Sequence, residues 1–458
     1  MVRSEHMSDH KLSLYENFET VNSIDSEVYQ RYDIKRGLRN ADGTGVIAGA
    51  TTISNVHGFV MYEGEKQPCE GTLTLRGYSI NDLVDNVEVE GRFGFEETAY
   101  LLLAGKLPSR KELDLFQQLI DENRELPDGF CADMIMTKTT PDIMNAMIRA
   151  VSVLYALDEN AEDRSAEHEI DTAISLISRL PRVMVLAYHA KRAAFYGDSM
   201  IMHRFVPGQG TAETILSMLR PDRSYTREEA VLLDIMLMLH AEHGGGNNST
   251  FTCRVLSSSD TDPYSAYAGA IGSLKGARHG GANLHVEKMI ADIKENVADW
   301  TNEGQVADYL TKIVNKEAFD HTGLVYGMGH AVYTLSDPRA ILCKKYASKL
   351  AEGSEYQSEF DLLRTVERIS PQIIAAKKGD GKQICANIDM YSGFVYRMLG
   401  IPTDLLTPLF AASRIVGWAA HRFEEIVSCR RIIRPAYKSI LATPERTKQL
   451  YVPISEHG

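Results

Sequence analysis

The sequence predicts an all-α chain with a minor β element near its N-terminus. Three observations carry this expectation. Apolar residues recur at three- and four-residue spacing from about residue 95 onward, the period of a helix with one buried face. Recognisable helix-start signals precede several of those segments. Strand-like runs bounded by Gly and Asn occur only before residue 80.

Residues 1–45 read as a polar, irregular arm, and the β element is expected at 45–54, 58–62 and 72–75. The first capped helix opens at Pro108-Ser109-Arg110-Lys111-Glu112. There Ser109 and Glu112 can form a capping box ahead of Leu113, Phe116 and Ile120. Thr140-Pro141-Asp142 starts another, with Met144, Met147, Ile148, Val151 and Leu154 at helical spacing. Thr226 and Glu229 cap a third, which runs to His240 and His243. Asp262-Pro263 begins a helix of small residues (Ala266, Ala268, Gly269, Ala270, Gly272), expected to pack closely and to lie at a subunit seam. Helices over 282–297, 302–314, 337–350, 359–377 and 404–420 complete the set. No period of 20–50 residues repeats, so a solenoid is excluded.

With 458 residues, 44% hydrophobic and 24% charged, the chain has the composition of a globular protein of two or three domains. A net charge of −13 argues against nucleic-acid binding and requires local positive charge wherever an anion is held. The candidates are Lys344-Lys345, Lys377-Lys378, Lys382 and Arg430-Arg431 with Arg434. Six scattered cysteines with no Cys-x-x-Cys are neither a disulfide framework nor a zinc ribbon, and suit a reducing compartment. The N-terminus lacks the apolar core of a signal peptide. The longest apolar stretch, near 231–239, is about half of a membrane span. A soluble, cytoplasmic protein is expected.

Three histidine–glycine clusters and one late aspartate carry the chemistry. They are His240-Ala241-Glu242-His243-Gly244-Gly245-Gly246-Asn247, Gly276-Ala277-Arg278-His279-Gly280-Gly281-Ala282-Asn283, Gly327-Met328-Gly329-His330-Ala331-Val332-Tyr333 and Asn387-Ile388-Asp389-Met390-Tyr391-Ser392-Gly393. Histidine changes charge near neutral pH and glycine permits close approach, so such pairs with a carboxylate suit proton transfer on a small substrate. Each has a plainer reading. His240 and His243 fit a helix C-cap or a metal pair, although the spacing is not His-Glu-x-x-His; the polar run Asn247-Asn248-Ser249-Thr250 favours a ligand-binding turn. His279 fits a turn between helices, or a neutral imidazole kept so by a helix N-terminus and able to donate to an oxyanion. Gly327-Met328-Gly329 lacks the third glycine of a dinucleotide loop, and no Walker loop occurs. Asp389 taken alone is most simply an N-cap. Arg414, inside an apolar helix, needs an anionic partner if buried, either an internal carboxylate or a substrate. Arg434-Pro435 fits a surface turn.

In this order the clusters resemble the citrate synthase family, from about residue 37 to the C-terminus. Leu75-Arg76-Gly77-Tyr78-Ser79-Ile80, Gly105-Lys106-Leu107-Pro108-Ser109, Asp337-Pro338-Arg339 and Phe410-Ala411-Ala412-Ser413-Arg414-Ile415-Val416-Gly417 add to the likeness. The resemblance implies a homodimer of two-domain helical subunits: an arm at 1–45, a large domain over 46–279 and 401–458, and a smaller, mobile, CoA-binding domain over 280–400. It implies an acyltransferase of the citrate (Si)-synthase type. That enzyme condenses acetyl-CoA with oxaloacetate and hydrolyses citryl-CoA to citrate and CoA, a step of the tricarboxylic acid cycle. Acetyl-CoA is a substrate, and neither a cofactor nor a metal is implied.

By the same resemblance Asp389 would take the methyl proton, His279 would stabilise the enolate and His330 would protonate the oxaloacetate carbonyl oxygen. His243, Arg339, Arg414, Asn247 and Phe410 would form the oxaloacetate site, with Arg434 reaching in from the neighbouring subunit. Leu324, Val325, Tyr326, Gly327, Met328, Gly329, Lys378, Lys382 and Asn387 would contact CoA. One departure stands out. Many relatives carry a basic residue four positions after the His330 equivalent, where this chain has Thr334; Lys377, Lys378 and Lys382 are the candidates to replace it. The N-terminal part is shorter than the extra domain linked to NADH control in some relatives, so that inhibition is not expected. A 2-methylcitrate synthase using propionyl-CoA is the alternative within the family. A metal-dependent hydrolase built on His240, Glu242 and His243 is the alternative outside it.

Overall fold

The computed structural model describes residues 22–440 except Ala41, Gly64, 380–382 and Arg430, together with Pro453 and Ser455. Residues 1–21 of the expected arm therefore lie outside the described residues. Residues before Thr51 and after Ile433 belong to a separate compact unit. In it, helix α1 (Ser26–Arg31) is capped by the Asp25 carboxylate, which accepts the Glu27 N–H at 2.9 Å.

Residues 51–433 form the second unit, which begins with an antiparallel three-stranded sheet, β1 (Ser54–Tyr62), β2 (Glu65–Leu75) and β3 (Tyr78–Ser79). The strand expected at 45–54 is not formed before Ser54: apart from one bridge between Arg39 and Gly45, residues 45–53 have no ladder. Ala48, Gly49 and Ala50 offer no alternating bulky side chains to bury. Conversely β2 starts earlier than expected, pairing Tyr62 with Glu65 and Ser54 with Leu75 around an irregularity between His57 and Phe59. Gly71, which reads as a breaker, belongs inside this strand because a Cβ there would stand 2.0 Å from the Ser336 carbonyl oxygen.

Helices follow in order: α2 (Ile80–Glu90), α3 (Phe95–Ala104), α4 (Arg110–Glu122), α5 (Ile143–Ala156) and α6 (Ala166–Tyr196). Next come α7 (Thr211–Leu219), α8 (Arg227–Ala241), α9 (Asn248–Ser257), α10 (Pro263–Lys275) and α11 (Ala282–Asn296). The remainder are α12 (Glu303–Val314), α13 (Pro338–Ala351), α14 (Gln357–Lys378), α15 (Asp389–Met398) and α16 (Leu406–Glu424). The anticipated capping boxes are present at Ser109/Glu112 and Thr226/Glu229, and Asp142, Asp262, Asn302 and Asp337 cap α5, α10, α12 and α13. The small residues of α10 let it press on α9: a Cβ at Gly269 would stand 2.3 Å from Leu256 Cδ1.

Helix α16 is the axis of this unit. It is buried from Pro408 through Arg422 and packs against α3, α6, α8, α9 and α10. Its Arg422 donates to Glu169 of α6 through Nε at 2.7 Å and Nη2 at 2.5 Å, with both side chains shut off from solvent. Removing either partner would strand a charge in the interior, which fixes the register of α16 against α6. Arg414, two turns earlier on α16, is also fully buried, and it faces the histidine clusters.

Candidate active site

Helix α8 delivers the first cluster. Its capping box starts it, eleven of its residues are buried, and it ends at Ala241 where Glu242 turns extended. His240, in the last turn, donates from Nδ1 to the Met236 carbonyl at 2.8 Å. The chain then reverses at Gly244, whose φ of +91° suits glycine, and Asn247 caps α9 by accepting the Ser249 N–H at 3.2 Å. Asn247 Oδ1 also accepts the Ser249 hydroxyl at 2.9 Å, so this oxygen serves the helix start.

His279 lies in the turn before α11. The backbone N–H of Ser249 points at its Nε2 (3.3 Å), and the Ser249 hydroxyl lies 3.0 Å away while accepting from Trp418 Nε1 at 3.2 Å. A backbone N–H can only donate, so Nε2 is the acceptor and the ring proton sits on Nδ1. Burial, helped by Arg414, pushes the His279 pKa down to about 4, which leaves the ring neutral at pH 7. The helix N-terminus invoked from sequence is thus secondary to desolvation.

The loops carrying His330 and Asp389 are zipped together. Gly329 N–H donates to Cys385 O (2.8 Å), Asn387 N–H to Gly327 O (2.9 Å) and Asn387 Nδ2 to Gly329 O (2.8 Å). Asn387 Oδ1 accepts the Asp389 N–H at 2.9 Å. A Cβ at Gly327, where φ is +80°, would stand 2.9 Å from Met390 Cα, so glycine is what lets the loops meet. Within this frame His330 Nδ1 accepts the N–H groups of Val332 (3.0 Å) and Tyr333 (3.1 Å), which places the ring proton on Nε2. Tyr333 stacks on His330 with centroids 4.6 Å apart, and its hydroxyl donates to Thr72 O of β2 at 3.2 Å.

Asp389 is not the cap expected from sequence alone. It is the first residue of α15, and Ile388 occupies the cap position without a side-chain bond. Burial raises the Asp389 carboxyl to about 6, opposed by Arg339, reinforced by Asp337 and opposed again by Arg414. Arg339 is itself gripped by Asp337, from Nε at 3.1 Å and Nη2 at 2.7 Å.

Around these groups His243 packs against His330 and Tyr333 with centroids 5.0 and 5.6 Å apart. Burial, then the charge of Arg339, pushes the His243 pKa well below 6.5. Phe410 lies under the Arg414 guanidinium (4.7 Å), with His240 at 4.7 Å and His279 at 6.4 Å. Arg414 donates Nε to His240 O at 2.5 Å, yet its Nη1 and Nη2 are buried without a hydrogen-bond partner. Burial pulls its pKa down to about 9, with Glu242 opposing. His240 Nε2 and His243 Nε2 are likewise unpartnered. Two imidazoles offering N–H, a carboxylate of raised basicity and a guanidinium with two unused nitrogens can hold a carboxylate-bearing substrate while moving a proton.

Sequence-expected groups divide accordingly. His243, His330, His279, Phe410, Arg414, Arg339 and Asp389 come together. Of the CoA candidates, 325–329 and Asn387 form the zipped loops, while Leu324 and Lys378 are exposed and Lys382 lies outside the described residues. Tyr326 is stacked on His285 at 4.6 Å and donates to Asp320 at 2.7 Å. Arg434 is exposed and belongs to the other unit. For the metal alternative, Glu242 is already bound by His421, Ser54 and Gly244, and no three His, Cys, Asp or Glu among the described residues are grouped to hold an ion. No helix among the described residues is long and apolar enough to cross a membrane. The partners Asp337, Trp418 and His421 were not marked by local pattern as functional.

Similarity to known proteins agrees with this geometry. The family model described as citrate synthase, C-terminal domain, matches residues 40–436. A citrate synthase of Acidithiobacillus ferridurans is 32% identical over 423 residues, covering 90% of this chain and 97% of that protein. A 2-methylcitrate synthase of Corynebacterium glutamicum is 32% identical over 431 residues, covering 92% and 98%. Among solved structures, a citrate synthase of Thermoplasma acidophilum, in a ternary complex with carboxymethyl coenzyme A and oxaloacetate, superposes with a TM-score of 0.74. It is 26% identical and the match covers 92% of this chain and 99% of that one.

The Asp389 shift makes a stability prediction independent of activity. A carboxyl with a folded pKa of about 6 and an ordinary value of 3.8 holds its proton more tightly when folded. Stability therefore falls as pH rises from about 4 to about 6 and stays lower above that. Asp389→Asn removes the penalty. It should stabilise the protein by about 1–3 kcal/mol at pH 8, with the gain vanishing toward pH 4. Chemical denaturation at several pH values measures this, and a gain that does not grow with pH would contradict it.

Proposed function

This chain belongs to the citrate synthase family, and we propose that it condenses acetyl-CoA with oxaloacetate and hydrolyses citryl-CoA to citrate and CoA. The supporting observation is Arg414: a buried guanidinium with two unpartnered nitrogens beside neutral histidines calls for a small anionic ligand. Arg414, Arg339 and His243 would hold the two oxaloacetate carboxylates and its keto group over Phe410, with Asn247 shaping the turn beneath.

In the proposed reaction Asp389 removes a proton from the acetyl methyl group. That C–H is far less acidic than a carboxyl of pKa about 6. Proton transfer therefore needs the His279 Nδ1–H bonded to the thioester oxygen as it becomes an enolate. The enolate carbon then attacks the keto carbon of oxaloacetate, and His330 Nε2–H delivers its proton to the emerging alkoxide. Water finally cleaves the thioester. Closure of residues 280–400 over 46–279 and 401–458 would exclude bulk water during enolisation. CoA would lie along 324–329 and Asn387, with Lys378 and Lys382 for its phosphates where Thr334 supplies no charge. Citrate synthase of the (Si) type is the reading we favour. The 2-methylcitrate alternative rests on the equal 32% identity to a 2-methylcitrate synthase.

Purified protein should release CoA from acetyl-CoA and oxaloacetate in EDTA, with kcat/KM for acetyl-CoA exceeding that for propionyl-CoA. The reverse order would replace citrate synthase by 2-methylcitrate synthase, and dependence on zinc would restore the hydrolase. Asp389→Asn and His279→Ala should each lower kcat by about 10²–10⁴-fold without unfolding the chain. The acidic limb of wild-type kcat/KM should fall off near pH 6, as Asp389 takes up its proton.

We further propose a homodimer in which Arg434 completes the partner's oxaloacetate site. Mixed dimers of inactive Arg434→Ala and inactive Asp389→Asn subunits should then regain activity, because one site collects both faults and the other is intact. Proven subunit exchange with no recovery would leave Arg434 a surface residue.

A further inference from the structure

Behind the histidine turn lies a largely buried polar chain that the proposed chemistry does not use. His421 sits seven residues after Arg414 on α16, so both project from the same face two turns apart. Its Nε2 is 2.9 Å from Glu242 Oε1, while Arg254 of α9 approaches Nδ1 with Nε at 3.1 Å and Nη2 at 2.6 Å. A guanidinium can only donate, so Nδ1 keeps its lone pair and the imidazole proton lies on Nε2, pointing at Glu242. Arg254 is anchored in turn by Glu425 (2.7 Å) and by Glu424. Glu242 Oε1 accepts two more bonds, from the Ser54 hydroxyl of β1 at 2.8 Å and the Gly244 N–H at 2.5 Å.

The second Glu242 oxygen is different. Oε2 is buried with no hydrogen-bond partner, and it lies against α16 one turn beyond Arg414: a Cβ at Gly417 would stand 2.3 Å from it. Arg414, whose Nη atoms are also unpartnered, feels this carboxylate as its leading favourable charge. Two unsatisfied, oppositely charged groups this near each other would ordinarily pair. Three donors on Oε1 oppose that collapse, and His421, itself held at Nδ1 by Arg254, is the one that ties Glu242 to α16. Space beside His421 is tight: a Cβ at Gly245 would stand 3.2 Å from His421 Cε1.

We propose that His421 is a positioning residue of the oxaloacetate site: by gripping Glu242 it keeps that carboxylate off Arg414, whose donors stay available to the substrate. This rests on the function proposed above. Without His421, Glu242 would swing toward Arg414 and compete with the substrate carboxylate.

The test compares wild type, His421→Leu and His421→Gln, titrated calorimetrically with oxaloacetate and, separately, with CoA. His421→Leu should weaken oxaloacetate about tenfold or more, the scale of one charge-assisted hydrogen bond, and leave CoA within about twofold. Glutamine, whose amide can reach the imidazole Nε2 position, should recover most of the affinity. Should His421→Leu fail to fold, Ser54→Ala, which removes another restraint on Oε1, should show a smaller loss in the same direction. Equal losses for both ligands, or oxaloacetate affinity unchanged in His421→Leu, would overturn the proposal. Wild-type protein that neither binds oxaloacetate nor releases CoA would instead overturn the functional reading.

Discussion

A guanidinium sealed from water, with only Nε engaged, sets the terms for everything around it. Arg414 would be expelled or neutralised in an ordinary core, because an unpaired buried charge is strongly disfavoured. Here the anion Glu242 stands nearby without closing on it, and Phe410 lies under its face. The same positive charge helps keep His279, His243 and His240 from protonating. It also restrains the Asp389 carboxyl, whose basicity would otherwise rise further with burial. Arg414 thus adds to what burial and Arg339 do to the protonation states of these groups.

Geometry at the reacting groups depends on backbone more than on side chains. His279 and His330 are held in opposite tautomers because backbone N–H groups reach Nε2 of the first and Nδ1 of the second. The loops bearing His330 and Asp389 are bonded through Gly327, Gly329, Cys385 and Asn387, so these two side chains are set by one frame. The β-hairpin contributes from outside by binding the Tyr333 hydroxyl and the Ser336 side chain, which steadies the loop behind His330.

Much of this was legible in the sequence where local chemistry decides it. Ser109, Thr226, Asp262 and Asp337 announce their helices because a cap is made with residues two or three positions away. Helix α6 is capped in the same way, by Ser165 on the His168 N–H, but its middle is buried all round, so no single apolar stripe marks it, and Pro181 lies inside it. Gly71 reads as a breaker because the loop that fills the space beside it is 265 residues distant. Asp389 looked like a cap because spacing cannot reveal burial or the arginines that face it. The His421–Glu242 and Arg422–Glu169 pairs join residues 179 and 253 positions apart, beyond any local pattern.

In the proposed function, Arg414 is kept buried and underused for the sake of a ligand carboxylate. Replacing it by methionine, which matches its length without charge, tests that claim in one pair of measurements on the same protein. Thermal unfolding without ligand should shift upward, since a costly buried charge has gone, while the stabilisation that oxaloacetate gives the wild type should disappear. A variant that unfolds earlier and still gains stability from oxaloacetate would show Arg414 to be a structural ion and contradict the account.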